Sequence, residues 1–157
     1  RMSRIAVKPT LQPELFVYSF PVRVYFENTD AGGVVYHGEY FKFLERARTE
    51  WLRHLGFDHQ SLGRDHGMVF VVTAMAIDFQ KAARLDDVLD ARLWLRRRGR
   101  ASFELAQELW RGNDCLLRAS VKVACLYAGA FRPRALPPWL VEAIGAPMEN
   151  VDGDASR

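Results

Sequence analysis

"NTDAGGVVYHGEY", Asn28 to Tyr40, separates two kinds of periodicity. Upstream, "SFPVRVYFE" (19–27) alternates, with Phe20, Val22, Val24 and Phe26 on one face and Arg23 and Tyr25 on the other. Such alternation predicts a half-buried strand. Downstream, Tyr40, Phe43, Leu44, Ala47, Trp51, Leu52 and Leu55 recur at steps of three and four, with Lys42, Glu45, Arg46, Arg48, Glu50 and Arg53 between them. This predicts an amphipathic helix over about 37–55, roughly five turns long and stopped near Gly56. Its large aromatic residues need a broad surface to bury them.

Beyond the helix, "DHQSLGRDHG" (58–67) reads as a polar connection, and then the period becomes two. "MVFVVTAMAIDF" (68–79), "DVLDARLWLRR" (87–97), "ASFELAQELW" (101–110) and "CLLRASVKVACLY" (115–127) are strand candidates. In the second of these, Leu89, Ala91, Leu93 and Leu95 face one way, and Asp90, Arg92, Trp94 and Arg96 the other. Gly99 and "GND" (112–114) mark turns. The order is one strand, one long helix and four strands read as a meander, an α+β plan in which a helix face and a sheet face bury each other. "RPRALPPWLVEAI" (132–144) carries three prolines and a last short helical stretch. The expected layout is an N-terminal extension over 1–18, one domain over 19–145 and a frayed tail over 146–157.

The totals exclude several classes. A chain of 157 residues is one domain by default, long enough to bury its own core. No apolar run approaches the roughly 18 residues of a membrane span, and no secretory leader pattern is present. A net charge of +3 permits an anionic ligand without requiring nucleic acid. Cys115 and Cys125 lack the spacing of a metal or redox motif, so they read as packing residues of a protein in the reducing cytoplasm. His54, His59 and His66 show no helical ligand pair, and no metal or other cofactor is expected.

The glycine stretch can carry chemistry. Gly32 and Gly33 let backbone approach a ligand or adopt positive φ. The next helix opens near Tyr36 to Gly38, where the first N–H groups have no partner inside the helix and the dipole is positive. Such donors stabilise a carbonyl oxygen that gains charge. An acid just upstream, Asp30, can attack that carbonyl or activate water against it. On spacing alone, though, Asp30 is more often an Asx-turn residue and His37 a packing residue at a helix start. The "LRRRGR" run is either a solvated strand edge or a phosphate cradle.

"VRVYFENTDAGGVVYHGEYFKFLERARTEWL" (22–52) closely resembles the opening of the YbgC-type acyl-CoA thioesterases, in the 4-hydroxybenzoyl-CoA thioesterase group of the hotdog fold. "ARLDDVL" (83–89) and "RPRALP" (132–137) resemble later family stretches, so the likeness spans about residues 20 to 140. It implies a hotdog fold, a long central helix wrapped by a curved five-stranded antiparallel sheet. It implies homodimers or homotetramers with sites at subunit contacts. It implies hydrolysis of acyl-CoA, or of an acyl group on acyl carrier protein, with Asp30 as nucleophile or general base. The backbone amides at Val35, Tyr36 and His37 are the implied oxyanion donors, with the His37 side chain assisting. Arg97, Arg98 and Arg100 are the implied coenzyme A contacts. Tyr40, Phe41, Phe70 and Met75 set the width of the acyl pocket. A noncatalytic acyl-binding or scaffold protein, peripherally associated with the envelope or with lipid synthesis, is the rival. A hydratase would need a different His–Asp motif, and nucleic-acid binding would need more than four clustered arginines.

Two positions depart from the family's Tyr-Tyr-Glu-Asp-Thr-Asp: Phe26 lacks a hydroxyl, and Asn28 lacks a charge. The missing charge is expected to ease ionisation of Asp30.

Overall fold

A computed structural model describes residues 17–148; the expected extension and tail lie mostly outside these residues. Five strands form one sheet: β1 (Tyr18–Arg23), β2 (Met68–Phe79), β3 (Val88–Arg98), β4 (Ser102–Arg111) and β5 (Asp114–Tyr127). Among the described residues three α-helices accompany them: α1 (Glu39–His54), α2 (His59–His66) and α3 (Pro138–Ile144). The strand order is β1-β3-β4-β5-β2, and every neighbouring pair is antiparallel.

The four-strand meander is corrected here. Only β3, β4 and β5 follow one another across the sheet; β2 lies at the far edge against β5. Alternation tells which face a residue occupies, not which strand lies beside which. The connection after β2 crosses to the other edge and docks there. Val24 N–H donates to Asp87 O at 2.8 Å, Asp86 N–H to Val24 O at 3.1 Å and Val35 N–H to Ala83 O at 2.9 Å. Those bonds fix the start of β3 beside the end of β1.

The first strand is also shorter than expected. It ends at Arg23, and Phe26–Asn28 form a turn of 3-10 helix. Asn28 closes that turn: its Oδ1 accepts from Tyr25 N–H at 2.7 Å and its own N–H donates to Tyr25 O at 2.9 Å. Phe26 therefore swings out to 81% exposure, while Val22 and Val24 stay buried. The 58–67 connection contains a helix, α2, whose signal was in the sequence. Asp58 caps it by accepting from Ser61 N–H at 2.7 Å, and Gly67 ends it at φ 62°.

Helix α1 matches its periodicity. Tyr40, Phe43, Leu44, Ala47, Trp51 and Leu52 are its buried residues. They meet Leu89 and Leu93 of β3, Leu105 and Leu109 of β4, and Leu117 and Val121 of β5 in one core. Trp51 and Phe70 both meet the Phe103 ring edge-on, at 6.0 and 5.5 Å. Phe43 is fully buried, so Phe43→Ala would cost about 3–5 kcal/mol in lost contacts and cavity. Trp94, expected on the solvent face of β3, is buried as well. Among the described residues no helix is long and apolar enough to cross a membrane.

Candidate active site

Residues 28–36 fold back as a miniature hairpin. Thr29 bridges Val35, Asp30 N–H donates to Val34 O at 2.9 Å, and Tyr36 N–H donates to Asn28 O at 3.0 Å. The turn is closed by Asp30 itself: its Oδ1 accepts from Gly32 N–H at 2.8 Å and its carbonyl from Gly33 N–H at 3.0 Å. Asp30 is thus an Asx-turn residue, and its carboxylate still faces solvent. No lysine or arginine among the described residues pairs with it. Gly33 sits at φ 82°, in the left-handed region a side chain disfavours. A Cβ on Gly32 would come within 3.3 Å of Asp30 Oδ1.

The three amides singled out from sequence are not equivalent. Val35 and Tyr36 N–H groups are committed to Ala83 O and Asn28 O. No such bond engages the N–H of His37 among the described residues, and Gly38, the N-cap of α1, brings no side-chain cap. The His37 amide is therefore the one of the three that the fold leaves open toward a ligand. The Tyr36 and His37 rings, both exposed, lie against each other with centroids 4.4 Å apart. A Cβ on Gly38 would come within 2.9 Å of the exposed Tyr36 ring, which would have to shift.

Asn28 ties the hairpin to the helix. It is buried, and its Nδ2 donates to Glu39 Oε1 at 2.8 Å. That bond, with Lys42 at 3.0 Å, holds the Glu39 carboxyl below its ordinary range. The Asn28 side chain bonds Tyr25 and Glu39. Tyr40, expected to shape the acyl pocket, is buried and uses its hydroxyl to accept from Ala83 N–H at 2.9 Å.

Arg97, Arg98 and Arg100 lie at the opposite end of β3 from this loop. The 83–87 turn touching Asn28–Val35 precedes Val88; Arg98 is ten residues on, about 33 Å of strand. Arg97 approaches Glu104 at 3.9 Å, Arg98 donates to Gly145 O at 2.7 Å, and all three are exposed. One chain does not bring them to its own Asp30. The histidines are dispersed: His54 stacks on Tyr18, His66 on Trp139, and His59 lies 3.4 Å from Thr49 Oγ1. Among the described residues no group of three or more potential metal ligands occurs. Burial raises the pKa of both cysteine thiols.

Sequence reasoning missed two features. One is the Asn28–Glu39 link, whose only trace is a polar residue before the acid. The other is a cavity of about 190 Å³ between α1 and the sheet, lined by Arg48, Trp51, Phe70 and Phe103 among others. Phe70 is among the residues expected to shape the acyl pocket, whereas Arg48 gave no such signal.

The chain is similar to known proteins. Residues 32–117 match the thioesterase superfamily model, 4HBT, beginning two residues after Asp30. The acyl-CoA thioesterase YbgC of Haemophilus influenzae is 48% identical over 120 residues, 76% of this chain and 88% of that protein. The acyl-CoA thioester hydrolase YbgC of Escherichia coli is 42% identical over 126 residues, 80% of this chain and 93% of that protein. The crystal structure of a probable thioesterase from Bartonella henselae superposes with a TM-score of 0.74 at 36% identity, covering 77% of this chain and 99% of that one.

Proposed function

The chain belongs to the 4HBT thioesterase superfamily, and from that premise we propose that it hydrolyses acyl-CoA thioesters to a carboxylic acid and free coenzyme A. The observation that carries the reading is local. An exposed carboxylate, Asp30, is pinned on a hairpin that runs directly into a helix N-terminus with an open His37 amide. The thioester oxygen accepts from that N–H as it gains charge, and the helix dipole adds to the effect. Asp30 either attacks the carbonyl carbon, giving an anhydride that water then opens, or takes a proton from the attacking water. In both routes the C–S bond breaks, the sulfur leaves as thiolate, and a proton restores the thiol.

The active assembly is a homodimer or a dimer of dimers. Strand β2 supports this: among the described residues it is an unpaired edge of 12 residues whose one charged residue is Asp78, and Val69, Val72 and Phe79 are exposed. Such an edge is a template for pairing with a second strand. A second copy also answers the separation of the arginines from Asp30. In this reading Arg97, Arg98 and Arg100 hold the phosphates of a coenzyme A whose thioester reaches a different protomer. The protein acts in the cytoplasm.

The test is thiol release from short, long and aromatic acyl-CoA esters and from acyl carrier protein, wild type beside Asp30→Asn. Turnover that collapses in the variant supports the assignment. Equal turnover by both proteins removes Asp30 from the chemistry. No turnover by wild type on any carrier leaves the binding or scaffold role.

A further inference from the structure

The cavity beside α1 has an unusual polar group. Its apolar lining includes Trp51, Phe70 and Phe103, and its polar lining includes Thr49, His59 and Arg48. Arg48 is half-buried and donates one N–H to Gln107 Oε1 at 3.0 Å. Gln107 is itself buried and donates from Nε2 to Leu44 O at 3.1 Å, so the guanidinium is held from behind. Among the described residues no carboxylate lies within 4.0 Å of Arg48. Glu45, one turn earlier, is exposed, lines the same cavity and acts on the Arg48 charge through space without an ion pair. Burial lowers the Arg48 pKa, the mark of a cation taken partly out of water without full compensation. A guanidinium has five N–H donors, and a carboxylate matches two of them in parallel.

We propose that Arg48 reads the far end of the acyl group, and that this protein prefers acyl-CoA esters whose acyl chain ends in a carboxylate. The inference rests on the thioesterase reading. The cavity, of about 190 Å³, has room for a short chain and its terminal carboxylate. Along its own helix Arg48 is eleven residues from His37, about 16 Å. Antiparallel pairing of two β2 edges shortens the route. It sets the start of one β2, where Phe70 lines the cavity, opposite the end of the other, where Phe79 meets Tyr40 at 5.4 Å near the helix start. The acyl chain then runs from the His37 amide of one copy toward Arg48 of the other.

The experiment pairs ω-carboxyacyl-CoA esters, from succinyl to suberyl, with neutral esters of equal length, and reads the ratio of kcat/KM within each pair. Wild type is expected to favour the carboxylated ester at one or more lengths by about 10- to 100-fold, the size of one charge-assisted pair. Arg48→Met should abolish the ratio while neutral esters are still turned over, and Arg48→Lys should keep part of it. A ratio does not change with the fraction of protein folded, so misfolding cannot imitate this result. Preference for neutral esters at every length, or an equal fall for both classes in Arg48→Met, would overturn the proposal. If wild type turns over no ester, the thioesterase reading fails separately. Calorimetric titration with free glutarate, adipate and suberate then decides: binding that Arg48→Met removes sustains the site, and no binding overturns it.

Discussion

The two ends of the sheet differ in how they use charge. At the end where β1 stops and β3 begins, cations are consumed locally: Arg111 pairs with Asp87 at 2.8 Å, Lys42 with Glu39 at 3.0 Å, and Arg23 donates to Asp86 O at 2.8 Å. Asp30 is left there without a cationic partner among the described residues. At the other end the arginines have few acids to meet. Arg97 has only a long contact to Glu104, Arg98 bonds a carbonyl, and Arg132 and Arg134 lie over the Tyr127 ring at 4.8 and 5.8 Å. A carboxylate that must attack a carbonyl is best left unneutralised, and arginines that must hold phosphates are best left unpaired. The lesson is that one protomer holds the acid and the arginines of the proposed site a strand's length apart.

The largest test of that contrast is kinetic. Asp30→Asn should lower kcat by at least about 100-fold, the usual scale for a general base, with KM within a few-fold. Its fold should survive, because an Asn Oδ1 still accepts from Gly32 N–H. Next, Asn28→Asp would set a carboxylate where an amide now donates to Glu39. The loss of a donor plus like-charge repulsion should cost about 1–3 kcal/mol in denaturant unfolding. Adding Glu39→Gln should restore most of it, and failure to do so would locate the damage elsewhere.

Glu39 also predicts a pH dependence. Its folded-state pKa is lowered from 4.5, so its contribution is present above that pH and is lost as pH falls through the folded value. The melting temperature of Glu39→Gln should therefore change less than wild type between about pH 5 and pH 3. At the basic end, replacing Arg97, Arg98 and Arg100 together by Gln should raise KM for acyl-CoA by about 10-fold and spare kcat. Esters of pantetheine, which lack the nucleotide phosphates, should show no such change; if they do, the arginines act on structure. The smallest effect expected is at Asp86, a non-glycine residue at φ 71°. Asp86→Gly relieves that conformation and frees the unfolded chain, so the two effects should nearly cancel, within about 1 kcal/mol.

Helix α1 and all five strands were legible in the sequence because burial imposes a period of 3.6 or 2 on the residues that share a face. So was the glycine turn that leads into the start of α1, since a rigid turn needs its glycines at fixed places along the chain. Strand order was not, because pairing between β2 and β5 depends on where the 80–87 connection docks. Neither were the commitment of the Val35 and Tyr36 amides, the grip of Asn28 on Glu39, nor the seating of Arg48 behind Gln107. Each of these joins a group to a partner 8 to 59 residues away. Hydrogen bonds over such spans leave no period in the sequence, and only the folded chain decides which groups they satisfy and which they leave open for a substrate.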